Sequence, residues 1–373
     1  MIKKDCFAPA WIDALSERYN YRDKNLIEKV IHAFSLLEML SSNGCPMIWK
    51  GGSSLMLILG EGASRLSIDI DILCPPGTDI TRFLQGFERY GFTDCTMIER
   101  QQRTNVPKSH SKLHYAMAYK NDRQQEGSIL LDVLYENNQY HQVDERDILY
   151  PFFEVEGTPL KVRTPSVNDI LGDKLTAFAP NTCGIPYFKS RRNHSLDIIK
   201  QLFDISRLMD AATDLGVVRD VFRRIAPIEL AYRDQPEDLT PVFEDIRQTA
   251  LCISTRGLEG KGQFQLLQDG ITSMQPFTIG SRYVIEDATV DAAKTALLAT
   301  MIERGVDEFI PYSTSCRFSS CRHLKEKGCC VRKAVADGLV SMSRYRTSRS
   351  LYEEMEARRP RGYGHAGCAR LRR

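Results

Sequence analysis

A glycine-rich turn followed closely by an alternating strand constrains the fold more than any other feature of the sequence. Residues 50–54 read KGGSS, after a short apolar run and before a predicted helix at 55–59. Residues 66–73 alternate apolar and polar side chains, which predicts a strand with Asp69 and Asp71 on its polar face. Strand, turn, helix and further strands are typical of an α/β or α+β domain.

The chemistry of this region follows from its charges and its bare backbone. Two carboxylates two positions apart on a strand project to the same side and repel each other, and Mg²⁺ takes one or two carboxylates plus phosphate oxygens. Gly51, Gly52 and Ser53 offer amides and a hydroxyl at a helix N-terminus, which suit a triphosphate. Each half alone is commonplace, as a turn or a solvated strand face. Their order along the chain indicates phosphoryl or nucleotidyl transfer.

Apolar spacing predicts further elements on both sides of this region. Ser166 with Asp169 three residues later is a helix start signal. The other predicted elements are a helix at 25–42, a helical segment at 81–90, paired strands at 114–119 and 128–135, and mostly helical structure from 166 to 304.

Two blocks of the sequence resemble one family. Residues 50–55 (KGGSSL) and 65–71 (RLSIDID) are similar to the KGGTAL…RxSxDxD signature of AbiEii/AbiGii-type nucleotidyltransferase toxins, in the DNA polymerase β-like superfamily. Residues 173–177 (DKLTA) and 201–205 (QLFDI) are similar to the helical motif of the same family. The resemblance covers residues 20–305. It implies an α+β fold with a polymerase β-like core of mixed sheet and helices, followed by a mostly helical domain.

The resemblance also implies roles for individual residues. Asp69 and Asp71 are expected to be catalytic and to hold Mg²⁺, with Asp132 as a third metal carboxylate. Lys174 is expected to contact the nucleotide phosphates, and Asp204 to act from a facing helix as a catalytic acid or orienter. The expected nucleotide-binding residues are Lys50, Gly51, Gly52, Ser53, Arg65 and Ser67.

One position departs from the family pattern. Lys200 and Gln201 stand where the family commonly has Arg-Asp. Any role that the family assigns to the Asp of this pair cannot be transferred to this chain. The expectation for Asp204 is unaffected.

Cysteine and histidine cluster near the C-terminus. Cys316, Cys321, His323 and Cys329 offer three thiols and one imidazole within fourteen positions, a donor set typical of structural zinc. An accidental group of free thiols is the alternative. Residues 306–357 are similar to the C-terminal zinc domain of RsgA, a GTPase that assists maturation of the small ribosomal subunit. The sequence has no Gly-x-x-x-x-Gly-Lys-Ser/Thr motif, so GTP hydrolysis is not implied.

Charge is distributed unevenly along the chain. Residues 306–373 hold 15 Lys+Arg and 7 Asp+Glu, which leaves 35 and 41 of the chain's 50 and 48 for residues 1–305. An acidic body with a basic tail indicates that the tail meets a polyanion such as ribosomal RNA, and a solvated terminus is the alternative. The expected basic surface consists of Arg317, Arg322, Lys325, Lys327, Arg332 and Lys333.

We predict four divisions of the chain: an N-terminal helical segment at 1–45, a nucleotidyltransferase core at 46–160, a helical domain completing the active site at 161–305, and a basic zinc-binding tail at 306–373. Eleven cysteines without an export signal favour the cytoplasm, and no membrane segment is predicted.

The predicted function is that of a Mg²⁺-dependent nucleotidyltransferase, which moves NMP from an NTP to tRNA or protein. By resemblance it is the toxin of a bacterial toxin–antitoxin or phage-defence system, with a cognate antitoxin as partner. Two alternatives stay open. One is a non-catalytic ribosome- or RNA-binding protein with a vestigial transferase fold, and the other is a small-molecule nucleotidyltransferase of antibiotic type.

Overall fold

A five-stranded mixed sheet forms the centre of the N-terminal part of the chain in the computed structural model. Its strands are β1 (Ile48–Lys50), β2 (Ile70–Cys74), β3 (Phe92–Ile98), β4 (Ser111–Lys120) and β5 (Glu126–Tyr135), in the spatial order β1-β2-β5-β4-β3. The β2–β5 pair is parallel and the other pairs are antiparallel. The pairing of β4 with β5 confirms the predicted paired strands.

The structure describes residues 1–98, 111–121, 124–305, 309–313, 315–317, 321–343, 345–346 and 349–350. The backbone divides into two units, residues 1–300 and 301–373. The finer predicted divisions at 45/46 and 160/161 stay predictions. Parts of the predicted tail at 306–373, among them residues 351–373, lie outside the described residues.

Helices α1 (Pro9–Arg18) and α2 (Lys24–Ser42) precede the sheet, and α2 packs against it. The Asp23 side chain accepts a hydrogen bond from the Leu26 amide at 3.1 Å, which caps the start of α2. Ile27, Ile31 and most other side chains of α2 are buried, so this helix forms the centre of the first hydrophobic core. The predicted helix at 25–42 is confirmed.

The rest of the first unit is mostly helical, as predicted. Ser166 accepts a hydrogen bond from the Asp169 amide at 3.2 Å and caps helix α4, confirming the start signal. The elements are α3 (Gly51–Ile58), β6 (Val143–Asp147), β7 (Lys161–Pro165), α4 (Val167–Ala177), β8 (Phe188–Lys189), β9 (Arg192–Asn193), α5 (Ser195–Ala211), α6 (Leu215–Ala231), α7 (Thr240–Ser254), α8 (Phe264–Ser273) and α9 (Ile285–Arg304).

Two predicted elements were wrong in extent or type. The strand predicted at 66–73 begins only at Ile70, because the Leu66 amide donates to the carbonyl of Phe277 at 2.8 Å instead of joining the sheet. The helix predicted at 81–90 is two short 3₁₀ turns. They are separated by Gly86, whose φ of +72° is left-handed and interrupts a right-handed helix.

The second unit contains short helices α10 (Ile310–Ser313) and α11 (Cys330–Ala336). Its small core includes Phe309, Val331 and Val340, together with the buried side chain of Cys329. Across the described parts of both units, no helix has the length and apolar character needed to cross a lipid bilayer.

Candidate active site

Three acidic residues meet where strands β2 and β5 run side by side. Asp71 on β2 lies directly opposite Asp132 on β5, and Lys50 on β1 lies opposite Asp71 on its other side. Asp69 stands just before β2, two residues from Asp71. The charges of Asp71 and Asp132 both act on Asp69, so the structure brings together the three residues predicted as metal carboxylates.

The electrostatics of Asp69 and Asp71 favour a bound cation. Partial desolvation and the charge of Asp71 raise the pKa of Asp69 to about 6, although its side chain reaches solvent. Desolvation also raises the pKa of Asp71, with Asp132 adding to the effect while Lys112 opposes it. Crowded carboxylates with raised pKa values are stabilised when a divalent cation offsets their repulsion. The donor set therefore fits Mg²⁺, which prefers oxygen ligands.

Asp132 differs from the other two because two basic side chains hold it in place. The Nδ1 atom of His114 lies 2.5 Å from one carboxylate oxygen, and Nζ of Lys112 lies 3.1 Å from the other. Burial would raise the pKa of Asp132, but these two partners outweigh burial and lower it. His114 and Lys112 were missed in the sequence. They occupy alternate positions of β4, and only the pairing of β4 with β5 brings them to Asp132.

The two glycines of the turn lie against the site with no room for a side chain. A Cβ atom on Gly51 would lie 2.3 Å from Oδ2 of Asp71, and the φ of Gly51 is +79°. A Cβ atom on Gly52 would lie 2.4 Å from Nη2 of Arg65 and 3.1 Å from Oγ of Ser67. The start of α3 is therefore in direct contact with the carboxylates, and both positions require glycine.

The hydroxyl of Ser53 is engaged by the protein itself and is not open to a ligand, in contrast to its predicted use on a triphosphate. It is buried, donates to the backbone carbonyl of Asp69 at 2.5 Å, and accepts from Nε1 of Trp49 at 3.1 Å. These bonds hold the segment that carries Asp69 against α3. Ser53 is thus placed to position a carboxylate rather than to bind phosphate.

A buried ion cluster lies beside the glycine turn. Arg65 donates from Nε and Nη2 to the two oxygens of Asp204, both at 2.6 Å, and Nζ of Lys174 lies 2.8 Å from Oδ2 of Asp204. The residues Arg65 and Asp204 are 3% and 1% exposed. Burial would raise the pKa of Asp204, but Arg65 and Lys174 lower it. The carboxylate is therefore ionised, and both of its oxygens have cationic partners.

This cluster corrects two predicted roles. Asp204 has both oxygens occupied and cannot serve as a catalytic acid, which leaves the orienting role. Arg65 uses its guanidinium on Asp204 rather than presenting it to a nucleotide. Lys174 also donates to Oε1 of Gln201 at 3.0 Å, and its charge acts on Asp71. Gln201 thus has a structural partner at the position where the family pattern has Asp.

Lys50 and Lys200 place two more cations at the site. Nζ of Lys50 lies 2.7 Å from Oδ2 of Asp173, which also accepts from the Tyr140 hydroxyl at 2.6 Å. Lys200 acts on Asp69, and its Nζ lies 4.0 Å above the ring of Phe277. Burial and the charge of Arg65 lower the pKa of Lys200. Lys200 was missed as a site residue, although its departure from the family pattern marked the position.

The four predicted zinc ligands of the second unit also come together. Their donor atoms all lie within 4.8 Å of one another. The Cys316 and Cys329 sulfurs are 4.0 Å apart, and Nδ1 of His323 lies 3.6 Å and 3.5 Å from them. Tetrahedral zinc with ordinary bond lengths requires separations of about 3.8 Å between sulfurs and about 3.6 Å from sulfur to nitrogen.

Backbone amides complete the surroundings of these thiols. The Cys330 amide donates to Sγ of Cys316 at 3.3 Å, and the Arg332 amide donates to Sγ of Cys329 at 3.4 Å. Such bonds stabilise thiolates, the form that binds metal. The donor set therefore fits Zn²⁺ with all four positions filled by protein.

Comparison with known proteins identifies the family of the chain. Residues 35–271 match the family model described as nucleotidyl transferase AbiEii toxin, Type IV TA system. The chain belongs to the AbiEii nucleotidyltransferase toxin family. It is therefore a nucleotidyltransferase, as the sequence predicted, with the mixed sheet and helices expected of that fold.

Two solved structures are similar to this AbiEii-family chain at low identity. JHP933 from Helicobacter pylori shares 14% identity with a TM-score of 0.41, covering 77% of this chain and 95% of that one. MenT4, the nucleotidyltransferase toxin Rv2826c from Mycobacterium tuberculosis H37Rv, shares 13% identity with a TM-score of 0.48, covering 78% and 89%. Similarities of this size carry no argument about substrates.

The C-terminal region is similar to a different group of proteins. It shares 42% identity over 60 residues with the small ribosomal subunit biogenesis GTPase RsgA of Ralstonia pickettii, which is 16% of this chain and 19% of that protein. The RsgA protein of Agathobacter rectalis shares 41% identity over 51 residues, or 14% and 17%. The chain thus spans about a fifth of the length of these curated relatives. The predicted resemblance to the RsgA zinc domain is confirmed.

Proposed function

We propose that this AbiEii-family enzyme uses Mg²⁺ to transfer NMP from an NTP to RNA, with tRNA as the first candidate acceptor. The proposal includes the role of toxin in a toxin–antitoxin system, with a cognate antitoxin as partner. Its main support is the meeting of Asp69, Asp71 and Asp132 beside the Gly51–Gly52 turn. Carboxylates next to bare backbone amides are the arrangement that nucleotidyl transfer requires.

In this proposal each residue has a distinct task. Asp69 and Asp71 hold Mg²⁺, which when bound supplies the positive charge that neutralises the triphosphate and aligns the attacking hydroxyl. Asp132, kept ionised by His114 and Lys112, completes the carboxylate set. The cations of Lys50 and Lys200 and the amides of the turn face the phosphates. Lys50 also pairs with Asp173, and the charge of Lys200 acts on Asp69.

Two buried residues act through their neighbours rather than on the nucleotide. Asp204 holds Arg65 and Lys174 in fixed positions, and Lys174 contributes charge at Asp71. The guanidinium of Arg65 lies against the backbone of Gly52, where a Cβ atom would be 2.4 Å from Nη2. We therefore assign Asp204 and Arg65 as positioning residues of the phosphate-binding turn.

The test is transfer of label from each of the four α-labelled NTPs to total RNA or to lysate protein. Asp71→Asn should lower transfer by at least about a thousandfold, because it removes a charged metal ligand while keeping the shape of the side chain. Asp147→Asn on β6 is the matched control, since its carboxylate is exposed and pairs with the exposed Lys161 at 3.9 Å. Full activity of Asp71→Asn would remove the carboxylates from the mechanism, and label found only in protein would exclude RNA as acceptor.

For the second unit we propose a structural Zn²⁺ held by Cys316, Cys321, His323 and Cys329. The ion fixes a basic surface that includes Arg317, Lys325 and Lys333, and this surface binds ribosomal or other RNA. Binding through it should weaken steeply with added salt, because each phosphate contact releases a counterion. Metal analysis of the intact protein checks the ion, and a chain lacking zinc would reduce the cluster to free thiols.

A further inference from the structure

A small basic hairpin projects from the acidic first unit next to the candidate active site. Strands β8 and β9 form it, with Phe188 opposite Asn193 and Lys189 opposite Arg192. Residues 187–194 read YFKSRRNH and contain three lysines or arginines and no acid, whereas residues 1–305 carry 41 acidic against 35 basic side chains. The hairpin is therefore a local reversal of charge.

The side chains at the tip of the hairpin face solvent. Lys189, Arg191 and Arg192 are exposed, and Phe188 is 51% exposed. Both turn residues, Ser190 and Arg191, have positive φ values of 50° and 67°. Such turns favour Asn and Gly, so the turn itself provides no local reason for an arginine.

The base of the hairpin is firmly anchored. The carbonyl of the buried Tyr187 accepts from the His194 amide at 2.9 Å. Oδ1 of Asn193 accepts from the Ser195 amide at 2.8 Å, and Nδ1 of His194 lies 2.8 Å from Oδ2 of Asp197. Exposed cations and an aromatic ring thus stand on a fixed support, which suits binding of an extended charged ligand.

Helix α5 connects this base directly to the catalytic carboxylates. It begins at Ser195, and its Asp197 and Lys200 both act electrostatically on Asp69. The five residues from Ser195 to Lys200 rise about 7.5 Å along the helix axis. The base of the hairpin therefore lies close to two residues whose charges act on Asp69.

We propose that the β8–β9 hairpin binds the acceptor RNA strand, with Lys189, Arg191 and Arg192 on backbone phosphates and Phe188 stacked on a base. This inference rests on the proposed function and adds the place where the acceptor is held. Single-stranded nucleic acids are bound in this way by cations that follow the backbone and aromatic rings that stack on bases.

The experiment measures label transfer by the full chain to unfractionated tRNA, with KM determined separately for RNA and for NTP. Arg191→Glu combined with Arg192→Glu should raise the KM for RNA at least tenfold and leave the KM for NTP within about twofold, because the lost contacts are phosphate contacts of RNA alone. Phe188→Ala should raise the KM for RNA roughly 5- to 150-fold, the effect of one stacked base. Phe188→Tyr should restore it.

The matched control makes the same change of charge at the far edge of the sheet. Arg82→Glu combined with Arg89→Glu alters two exposed arginines beside β3 and should leave both KM values within about twofold. The RNA-binding tail is intact in every variant, so its contribution is common to all measurements.

Each outcome decides one of the two proposals. If wild-type enzyme labels RNA and the hairpin variants do so with unchanged KM, the hairpin proposal is wrong and the proposed function stands. If the hairpin variants raise the KM for NTP instead, the hairpin binds the nucleotide and the acceptor proposal is wrong. If wild-type enzyme labels no RNA with any NTP, the proposed acceptor fails and the hairpin inference fails with it.

Discussion

In residues 1–300 the candidate metal site rests on a hydrophobic core, whereas in residues 301–373 the candidate metal site is itself part of the core. The first core contains large side chains such as Trp49, Phe34 and Ile72, packed without any help from Asp69 or Asp71. Among the residues that the structure describes, the second core contains five buried side chains, and one of them is the candidate ligand Cys329. A metal can therefore serve catalysis in the first unit and be required for folding in the second.

The two sites also differ in how their donor atoms are arranged before any ion binds. Asp69 and Asp71 carry raised pKa values and repel each other, so the first site is destabilising until a cation arrives. The donor atoms of Cys316, His323 and Cys329 already have separations close to those of a zinc tetrahedron, and that of Cys321 lies within 4.8 Å of each of them. Four protein donors leave a tetrahedral ion no position for a substrate. An open repulsive site suits exchange of Mg²⁺ and nucleotide, and a closed site suits permanent retention.

Removal of zinc should have the largest effect and should separate the two units most clearly. A zinc-selective chelator, with excess Mg²⁺ present, should unfold residues 301–373, because structural zinc contributes about 10–16 kcal/mol in small domains. Both tryptophans, Trp11 and Trp49, lie in the first unit, so their fluorescence should not change. Limited proteolysis reports loss of the second unit.

Two results of that measurement would break the comparison. A tail that stays protected from proteolysis after complete zinc removal would show that its apolar core suffices. A change in tryptophan fluorescence would show that the first unit depends on the second.

Within the first unit the buried ion cluster should matter more for stability than the metal carboxylates. Asp204→Asn leaves Arg65 and Lys174 buried beside a neutral group, which should lower the free energy of unfolding by about 3–5 kcal/mol. Asp210→Asn is the control on the same helix, because Asp210 is 64% exposed and pairs with Lys294 at 2.7 Å. That exposed pair should cost less than about 1 kcal/mol. Urea denaturation measures both, and equal costs would contradict the burial argument.

The number of residues that separate two partners in the sequence decides whether their contact could be predicted. The carboxylates Asp69 and Asp71 stand two residues apart, and the zinc ligands lie within fourteen residues, so spacing alone indicated both sites. Arg65 and Asp204 are separated by 139 residues, and nothing local marks them as partners. Because the sequence does not reveal this ion pair, it predicts Arg65 as a nucleotide-binding residue and Asp204 as a catalytic acid or orienter.

The strand predicted from residue 66 was wrong in extent for the same kind of reason, whereas the helix predicted at 81–90 was wrong because of the local Gly86. Alternation continues from Leu66 to Leu73, and no local signal shows that Leu66 bonds to Phe277 rather than to the sheet. His114 and Lys112 likewise became site residues only through the register of β4 on β5. Local pattern determined which residues could do chemistry, and tertiary pairing determined which of them face the site.

The smallest predicted effect has a sign that depends on Mg²⁺. In metal-free buffer Asp69→Asn should raise the free energy of unfolding, by less than about 1 kcal/mol because solvent screens the repulsion. The gain should grow as pH rises from about 4, the pKa of Asp in the unfolded chain, to about 6, the pKa of folded Asp69. In this range the folded wild-type protein binds the proton more tightly than the unfolded chain does, so its free energy of unfolding falls as the proton leaves. In excess Mg²⁺ the same substitution should be destabilising, because it removes a ligand from the folded state alone. Thermal denaturation with and without Mg²⁺ measures the reversal, and a change of the same sign in both buffers would remove Asp69 from the metal site.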